Sequence, residues 1–370
     1  MNIEKFVPNV ELNSVQSSVK ITDKSPVVEI FSALTRGQDL SKFDGKMVDK
    51  VNAHIKDLST RAMAGDSKAK VELNQITTIA IEAPLVKRLQ LLKFMGDVIN
   101  VGYNEEIRYR VYNIEGKKSA IQANSGDALF ATNTFTTRTM STQTITGGMA
   151  VNYREKLTIG DYTNFGILQE QTITDMYNKI FYTAMNTLYN GIKNATGIKN
   201  FAEASGLTLA SVKAAQKIAK RWGNVSIVGD YSVVSQLNSM TGANGYTGQS
   251  NPVLVSEAAM VEIMKTGLLS YFNGSPVLEL QNAFDLTKLN VGGTMYETVL
   301  PEGLLFFLAN GTNSAFRCAF KGGLTSMMGT SVETGTELTR FDIEFGNVVI
   351  PEYIPQIGLV SDSAYAVDKG

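Results

Sequence analysis

One histidine, one cysteine and a few neighbouring carboxylates are the main groups that a 370-residue chain of this sequence offers to catalytic chemistry. A general base, or a Ser-His or Cys-His nucleophile, would have to use His54. That residue sits beside an amphipathic stripe with Lys50 and Lys56 nearby, a setting that fits a surface histidine. Cys318 alternates with Phe316 and Phe320, as a small buried apolar residue on a strand does. A lone cysteine excludes internal disulfides and Cys-cluster metal sites, and a lone histidine excludes multi-His sites. Phosphate loops fare no better. Gly116-Lys117-Lys118-Ser119 lacks the upstream glycine of a P-loop, and no helix starts after Gly242, Gly245 and Gly248 to offer its amides. Glu105 and Glu106, adjacent on an expected strand, point to opposite faces. Asp342 and Glu344 share the parity opposite Phe341, Ile343 and Phe345 and read as the wet face of a strand. No catalytic, metal or cofactor-binding residue is assigned, and an enzyme is disfavoured.

Composition points the same way. The chain is 44% hydrophobic and 19% charged, so it can bury a core and is not globally disordered. Its 34 Lys plus Arg against 35 Asp plus Glu leave a net charge of −1, without the basic surplus of a dedicated nucleic-acid binder. The amino terminus has no apolar core of a secretory signal, and the longest apolar run, Gly303 to Ala309, falls far short of the ~20 residues a bilayer crossing needs. The expectation is a soluble protein made in a cytoplasm, with no membrane partner.

The elements that would position any site follow in order. Residues 1–40 read as an arm with one apolar knot, Val27 to Leu34, ordered by lying on something else. From Asp44 to about Met95 the pattern is helical, with Met47, Val48, Val51, Ile55 and Leu58 on one face. Pro84 is expected to end or kink a helix. Glu105 to Ile114 alternates, placing Ile107, Tyr109 and Val111 opposite Arg108, Arg110 and Tyr112. After a polar tip, Thr132 to Thr146 carries eight threonines in fifteen residues. This predicts a strand with no apolar face, ~50 Å long at ~3.3 Å per residue. A two-sided-polar hairpin of that size would lie on another subunit.

Asp161 is placed to cap a long helix from Tyr162 to Asn190, with a stripe running from Ile173 to Ile192 and Gly191 and Gly197 at its end. Residues Ser205 to Met328 read as a compact α/β unit. Its first helix, Thr208 to Arg221, turns Leu209, Val212 and Ile218 inward and Lys213, Lys217 and Lys220 outward. Strands are expected at Val225 to Val228, Pro276 to Leu280, Leu304 to Leu308 and Phe316 to Phe320. A breaker-rich loop spans Thr241 to Pro252, a helix Ser256 to Lys265, and a last alternating strand Glu337 to Ile350.

This order of parts resembles the major capsid proteins of tailed bacteriophages, with the α+β Hong Kong 97-type fold. Two stretches carry the likeness locally. Val225 to Asn238 is similar to the strand-then-helix opening of that family's axial domain, and Leu268 to Leu280 to its glycine-x-proline-valine strand. The resemblance implies an N-terminal arm (1–40), a helical segment leading into the peripheral domain (41–104) and an extended loop (105–149). It further implies a peripheral domain with the spine helix (150–204), an axial domain (205–328) and return strands with the C-terminus (329–370). It also implies self-assembly into hexamers and pentamers of an icosahedral head, in a virion assembled in the host bacterial cytoplasm. Scaffold, portal and decoration proteins would be partners, and packaged double-stranded DNA would be contacted weakly and without sequence specificity. The residues expected at subunit interfaces are Arg108, Arg110, Tyr112, Lys117, Lys118, Phe135, Arg138 and Tyr246. An encapsulin-like compartment shell and a tail-tube or other phage assembly protein are the alternatives.

Overall fold

The computed structural model describes residues 25–112, 134–149, 160, 162–240, 261, 265–290, 292–310, 314–330 and 337–365. Helices α1 (Pro26–Thr35), α2 (Gly45–Met63), α3 (Ser67–Leu89) and the short α4 (Leu92–Met95) lead into strands β1 (Asp97–Val101), β2 (Arg108–Tyr112), β3 (Phe135–Thr139) and β4 (Gln143–Met149). The long helix α5 (Tyr162–Lys193) is followed by β5 (Asn200–Ala204), α6 (Leu209–Ala219), β6 (Asn224–Asp230), α7 (Tyr231–Val234) and α8 (Gln236–Met240). The remaining strands are β7 (Tyr271–Phe272), β8 (Ser275–Leu280), β9 (Phe284–Leu289), β10 (Tyr296–Thr298), β11 (Leu304–Asn310), β12 (Phe316–Thr330), β13 (Glu337–Val349) and β14 (Ile357–Asp362). The class is α+β, and the expected order of helical segment, polar strands, long helix and mixed unit is present.

Among the described residues two larger sheets divide the molecule. The first has the order β1-β12-β13-β4 and packs along α5; the second has the order β5-β14-β11-β6-β8-β7. The second sheet is buried on both faces. Val225, Ile227, Leu305, Phe307 and Val360 pack with Val212, Ala215 and Ala219 of α6 on one side. Val228, Phe306, Leu308 and Leu359 join the large core of α3, α5 and the first sheet on the other. Strands covered twice carry near-continuous apolar runs, which is why Leu304 to Ala309 lacks alternation.

The segment expected as one α/β unit, 205–328, is thus shared between the sheets. β12 pairs with β1 and β13 beside α5, because the alternating Phe316, Cys318 and Phe320 are drawn into the large core. β5 and β14, from outside that segment, complete the second sheet. On α6 the buried stripe is Val212, Ala215, Gln216 and Ala219, while Leu209 and Ile218 stay exposed, a correction to the inward set expected there. Gln216 is tolerated inside because its Nε2 donates to Phe272 O at 3.0 Å and Ser275 Oγ at 2.9 Å. Those partners flank the two-residue Asn273-Gly274 turn between β7 and β8, where both residues have positive φ, 47° and 73°.

Three further expectations change. Residues 26–35 are not an arm lying on another chain: they form α1, whose Phe31 is fully buried against Phe165 at 5.7 Å between rings. Gly191 does not end α5, which runs on to Lys193, a span of ~48 Å at 1.5 Å per residue. Instead it lets β13 approach, since a Cβ there would lie 2.9 Å from Val349 Cβ. Gly166 near the other end is tighter, as its Cβ would stand 1.7 Å from Thr35 O at the end of α1.

Pro84, finally, lies inside α3 without ending it. Its missing N–H leaves the Ala80 carbonyl without the usual i−4 donor. Arg36, at the end of α1, supplies the replacement, donating from a guanidinium Nη2 to Ala80 O at 3.2 Å. The expected arm residues 1–24, the Asp161 cap, the short strand 149–153 beyond Met149, the loop 241–252 and most of the helix 256–265 lie outside the described residues.

Arg36→Met should therefore lower stability by about 1 kcal/mol. In a Pro84→Ala background, where the helix bond can re-form, the same change should cost close to nothing. Urea unfolding of the four proteins checks this; additive losses would contradict the assignment.

Candidate subunit interface

The alternation expected from Glu105 to Ile114 is realised from Ile107 to Tyr112; residues 113 and 114 lie outside the described residues. Ile107, Tyr109 and Val111 are buried, whereas Arg108 and Arg110 are exposed and Tyr112 is half-buried. Among the described residues β2 pairs only with β3, antiparallel, in the register Arg108↔Thr139, Arg110↔Thr137 and Tyr112↔Phe135. This ribbon brings together five of the expected interface residues: Arg108, Arg110, Tyr112, Phe135 and Arg138. Lys117, Lys118 and Tyr246 lie outside the described residues.

The threonine-rich stretch is not one long polar strand. It breaks at Met140, Ser141 and Thr142, so that β3 stays with β2 while β4 crosses to β13 in the first sheet. The break follows from the few apolar residues. Ile145 and Met149 sit at one parity and are buried in the large core, so β4 does cover this chain's own interior. Only β3, with no large apolar residue but the exposed Phe135, is left without a core to cover.

On the exposed face of the ribbon, the Arg110 guanidinium carbon stands 4.8 Å from the Phe135 ring centre, and Phe135 lies 5.9 Å from Tyr112. Such cation–π and aromatic contacts are worth about 0.5–1 kcal/mol each at exposed sites. Arg108 pairs with Glu106 through Nε at 2.8 Å, a fully wet ion pair of small value. Glu105 instead accepts from Gly102 N at 3.1 Å, so the two acids share no site. On the inner face Tyr109 lies 5.6 Å from the buried Arg317 guanidinium, which sits 3.7 Å from Asp97. Burial pushes the Asp97 carboxyl up from its ordinary value, with Arg317 opposing.

The root of the ribbon is held by residues that the sequence did not single out. Tyr353, fully buried in the 3-10 turn Pro351–Gln356, accepts from Tyr112 N at 2.7 Å and donates to Tyr112 O at 2.8 Å. One phenol thus satisfies both backbone groups of Tyr112 on the side away from β3. Glu352 of the same turn pairs with Arg138 on the other strand. The prolines at 351 and 355, which fix the turn, were the only local signal.

Elsewhere the chemistry is structural. His54 Nε2 meets Glu72 Oε1 at 3.1 Å on the surface between α2 and α3. Cys318 is fully buried and its thiol is pushed well above its ordinary value by burial. Asp342 is more enclosed than a wet strand face implies: it is buried at the edge of a small polar cavity of ~130 Å³, where Arg340 Nε donates to it at 2.8 Å. No group of three or more His, Cys, Asp or Glu side chains among the described residues could hold a metal ion. No described helix is long and apolar enough to cross a membrane.

Tyr353→Phe removes both hydrogen bonds to Tyr112 while keeping the ring. The Tyr112 amide should then exchange with solvent at least tenfold faster, with little change for amides of β11 or β14. An unchanged rate would mean that the phenol does not anchor the ribbon.

Comparison with known proteins sets this geometry in context. Residues 11–361 match the model of a family described as "SPbeta prophage-derived putative capsid protein YonB". No curated protein matches the sequence. Among solved structures, a chain of Mycobacterium phage Adephagia is similar at 13% identity, covering 72% of this chain and 87% of its own, with a TM-score of 0.46. The capsid of a native GTA particle aligns at 13% identity, 74% and 90% coverage and a TM-score of 0.45. A virus-like particle from Pyrococcus furiosus aligns at 10%, 76% and 98%, with a TM-score of 0.42. The family match spans most of the sequence, and this chain belongs to the YonB family of prophage-derived capsid proteins.

Proposed function

We propose that this chain is the major subunit of an icosahedral phage head, arranged as hexamers and pentamers around packaged double-stranded DNA. Assembly takes place in the cytoplasm of a bacterial host, with scaffold, portal and decoration proteins as partners. The β2–β3 ribbon supports this reading. Among the described residues it is two strands wide, carries Arg108, Arg110 and Phe135 outward, and is held to the subunit by the buried Ile107, Tyr109 and Val111 and by Tyr353 and Glu352. Its unpaired edge offers main-chain groups to a neighbour, and its exposed face offers aromatic and guanidinium contacts.

On this reading residues 105–149 form the extended loop only as far as β3, and β4 belongs to the peripheral domain with α5 and the first sheet. The second sheet with α6, α7 and α8 forms the axial domain, receiving β14 as its return strand. Arg108, Arg110, Tyr112, Lys117, Lys118, Phe135 and Arg138 contact the neighbour along the loop, and Tyr246 contacts it near the capsomer axis. The role requires no catalytic group.

Deleting residues 114–131 should leave a monomer with an unfolding midpoint within a few degrees of the full chain but unable to close shells. Size-exclusion chromatography and negative-stain electron microscopy of both proteins decide this; normal shells from the deletion would remove the loop assignment.

A further inference from the structure

Helix α6 turns Val212, Ala215, Gln216 and Ala219 onto the second sheet and leaves its opposite face to solvent. That face carries Lys213, Lys217 and Lys220, with Arg221 just past the helix end, all exposed. From residue 205 to residue 229 these are the only charged side chains, four cations without a carboxylate, in a chain of net charge −1. Lys213 and Lys217 are one four-residue step apart, about 6 Å of rise, and Arg221 follows in the turn that ends the helix. None of the three makes an ion pair among the described residues, and Lys220 donates only to the Asn273 carbonyl. Like charges at this spacing weaken a helix rather than support it. The nearest carboxylates in sequence are Glu203 on β5 and Asp230 at the end of β6, the latter buried. Trp222, exposed at 42%, extends the face beyond Arg221.

We infer that this face of α6 binds the phosphate backbone of double-stranded DNA, without reading its sequence, on the inner side of the shell wall; the inference rests on the capsid reading. A line of long, unpaired cations suits a linear array of phosphates, where binding is driven by counterion release. A carboxylate-bearing protein surface would instead favour local, two-sided ion pairs.

The test uses purified, unassembled full-length subunits and a fluorescent random-sequence duplex of about 30 base pairs, with anisotropy measured from low to physiological salt. Wild-type affinity should fall linearly on a log–log plot. Lys213→Gln, Lys217→Gln and Arg221→Gln combined should reduce the slope by about 0.9 per lost phosphate contact, up to about 2.7 in all. A charge-matched control with Lys46→Gln, Lys50→Gln and Lys68→Gln should keep the wild-type slope. If the triple variant does not fold, Lys217→Gln alone should still lower the slope by about 0.9. Equal slopes for wild type and triple variant overturn the inference. So does loss of shells with DNA binding unchanged, which would assign the face to an acidic neighbouring subunit. Electron microscopy of the wild type reads the capsid proposal separately, since its shells form or fail regardless of the slope.

Discussion

A continuous apolar stripe about 40 Å long must be kept dry, and most of the subunit is arranged to do so. Phe165, Ile173, Ile180, Phe181, Met185, Leu188 and Ile192 of α5 are all essentially unexposed. No single element is long enough to cover them. α1 closes one end, α3 and β4 the middle, and β13 the other end, with close approach permitted by Gly166 and Gly191. Each covering element then imposes its own demand. α1 must end where Arg36 can reach the carbonyl that Pro84 orphans, and β13 must run far enough to pair with both β12 and β4. The second sheet is tied in by the same core, because the far faces of β6, β11 and β14 bury against it, with α4 packed on β6 and β11.

What could be read from the sequence was whatever follows from local periodicity. The three/four repeat from Ile173 to Ile192 gave the long helix almost to its last turn, and the alternation around Arg108 and Arg110 gave both faces of β2. The polar ribbon was legible in kind but not in extent, since Ile145 and Met149 are too sparse to announce that their strand leaves the ribbon for the core. Partition between sheets was not legible either. Phe316, Cys318 and Phe320 alternate equally well whichever core they face, and β14 carries an unbroken buried run that names no partner. The anchor of the ribbon was invisible for a different reason. Tyr353 acts over 241 positions of sequence, through a phenol whose neighbours are backbone atoms.

The β9–β10 ribbon was missed altogether, and its composition shows why. Phe284, Leu286, Leu289, Met295 and Tyr296 are apolar yet largely exposed, so the pattern that normally marks a buried strand misleads here. β3 is largely exposed too, its threonines having the propensity for a strand without an interior to face.

The double hydrogen bond of Tyr353 has a directional consequence for anything that pairs with β2. Successive strand residues point their amide groups alternately to either side, and Ile107, which accepts from Met140 N at 3.0 Å, faces β3. Arg108, Arg110 and Tyr112 therefore face the free side, and at Tyr112 a side-chain hydroxyl already occupies both places. A visiting strand can lay its own amides against Arg108 and Arg110 but not slide past Tyr112. On the proposed role, the phenol would act as an end stop for any strand added to this edge, since Tyr112 N and O are already taken.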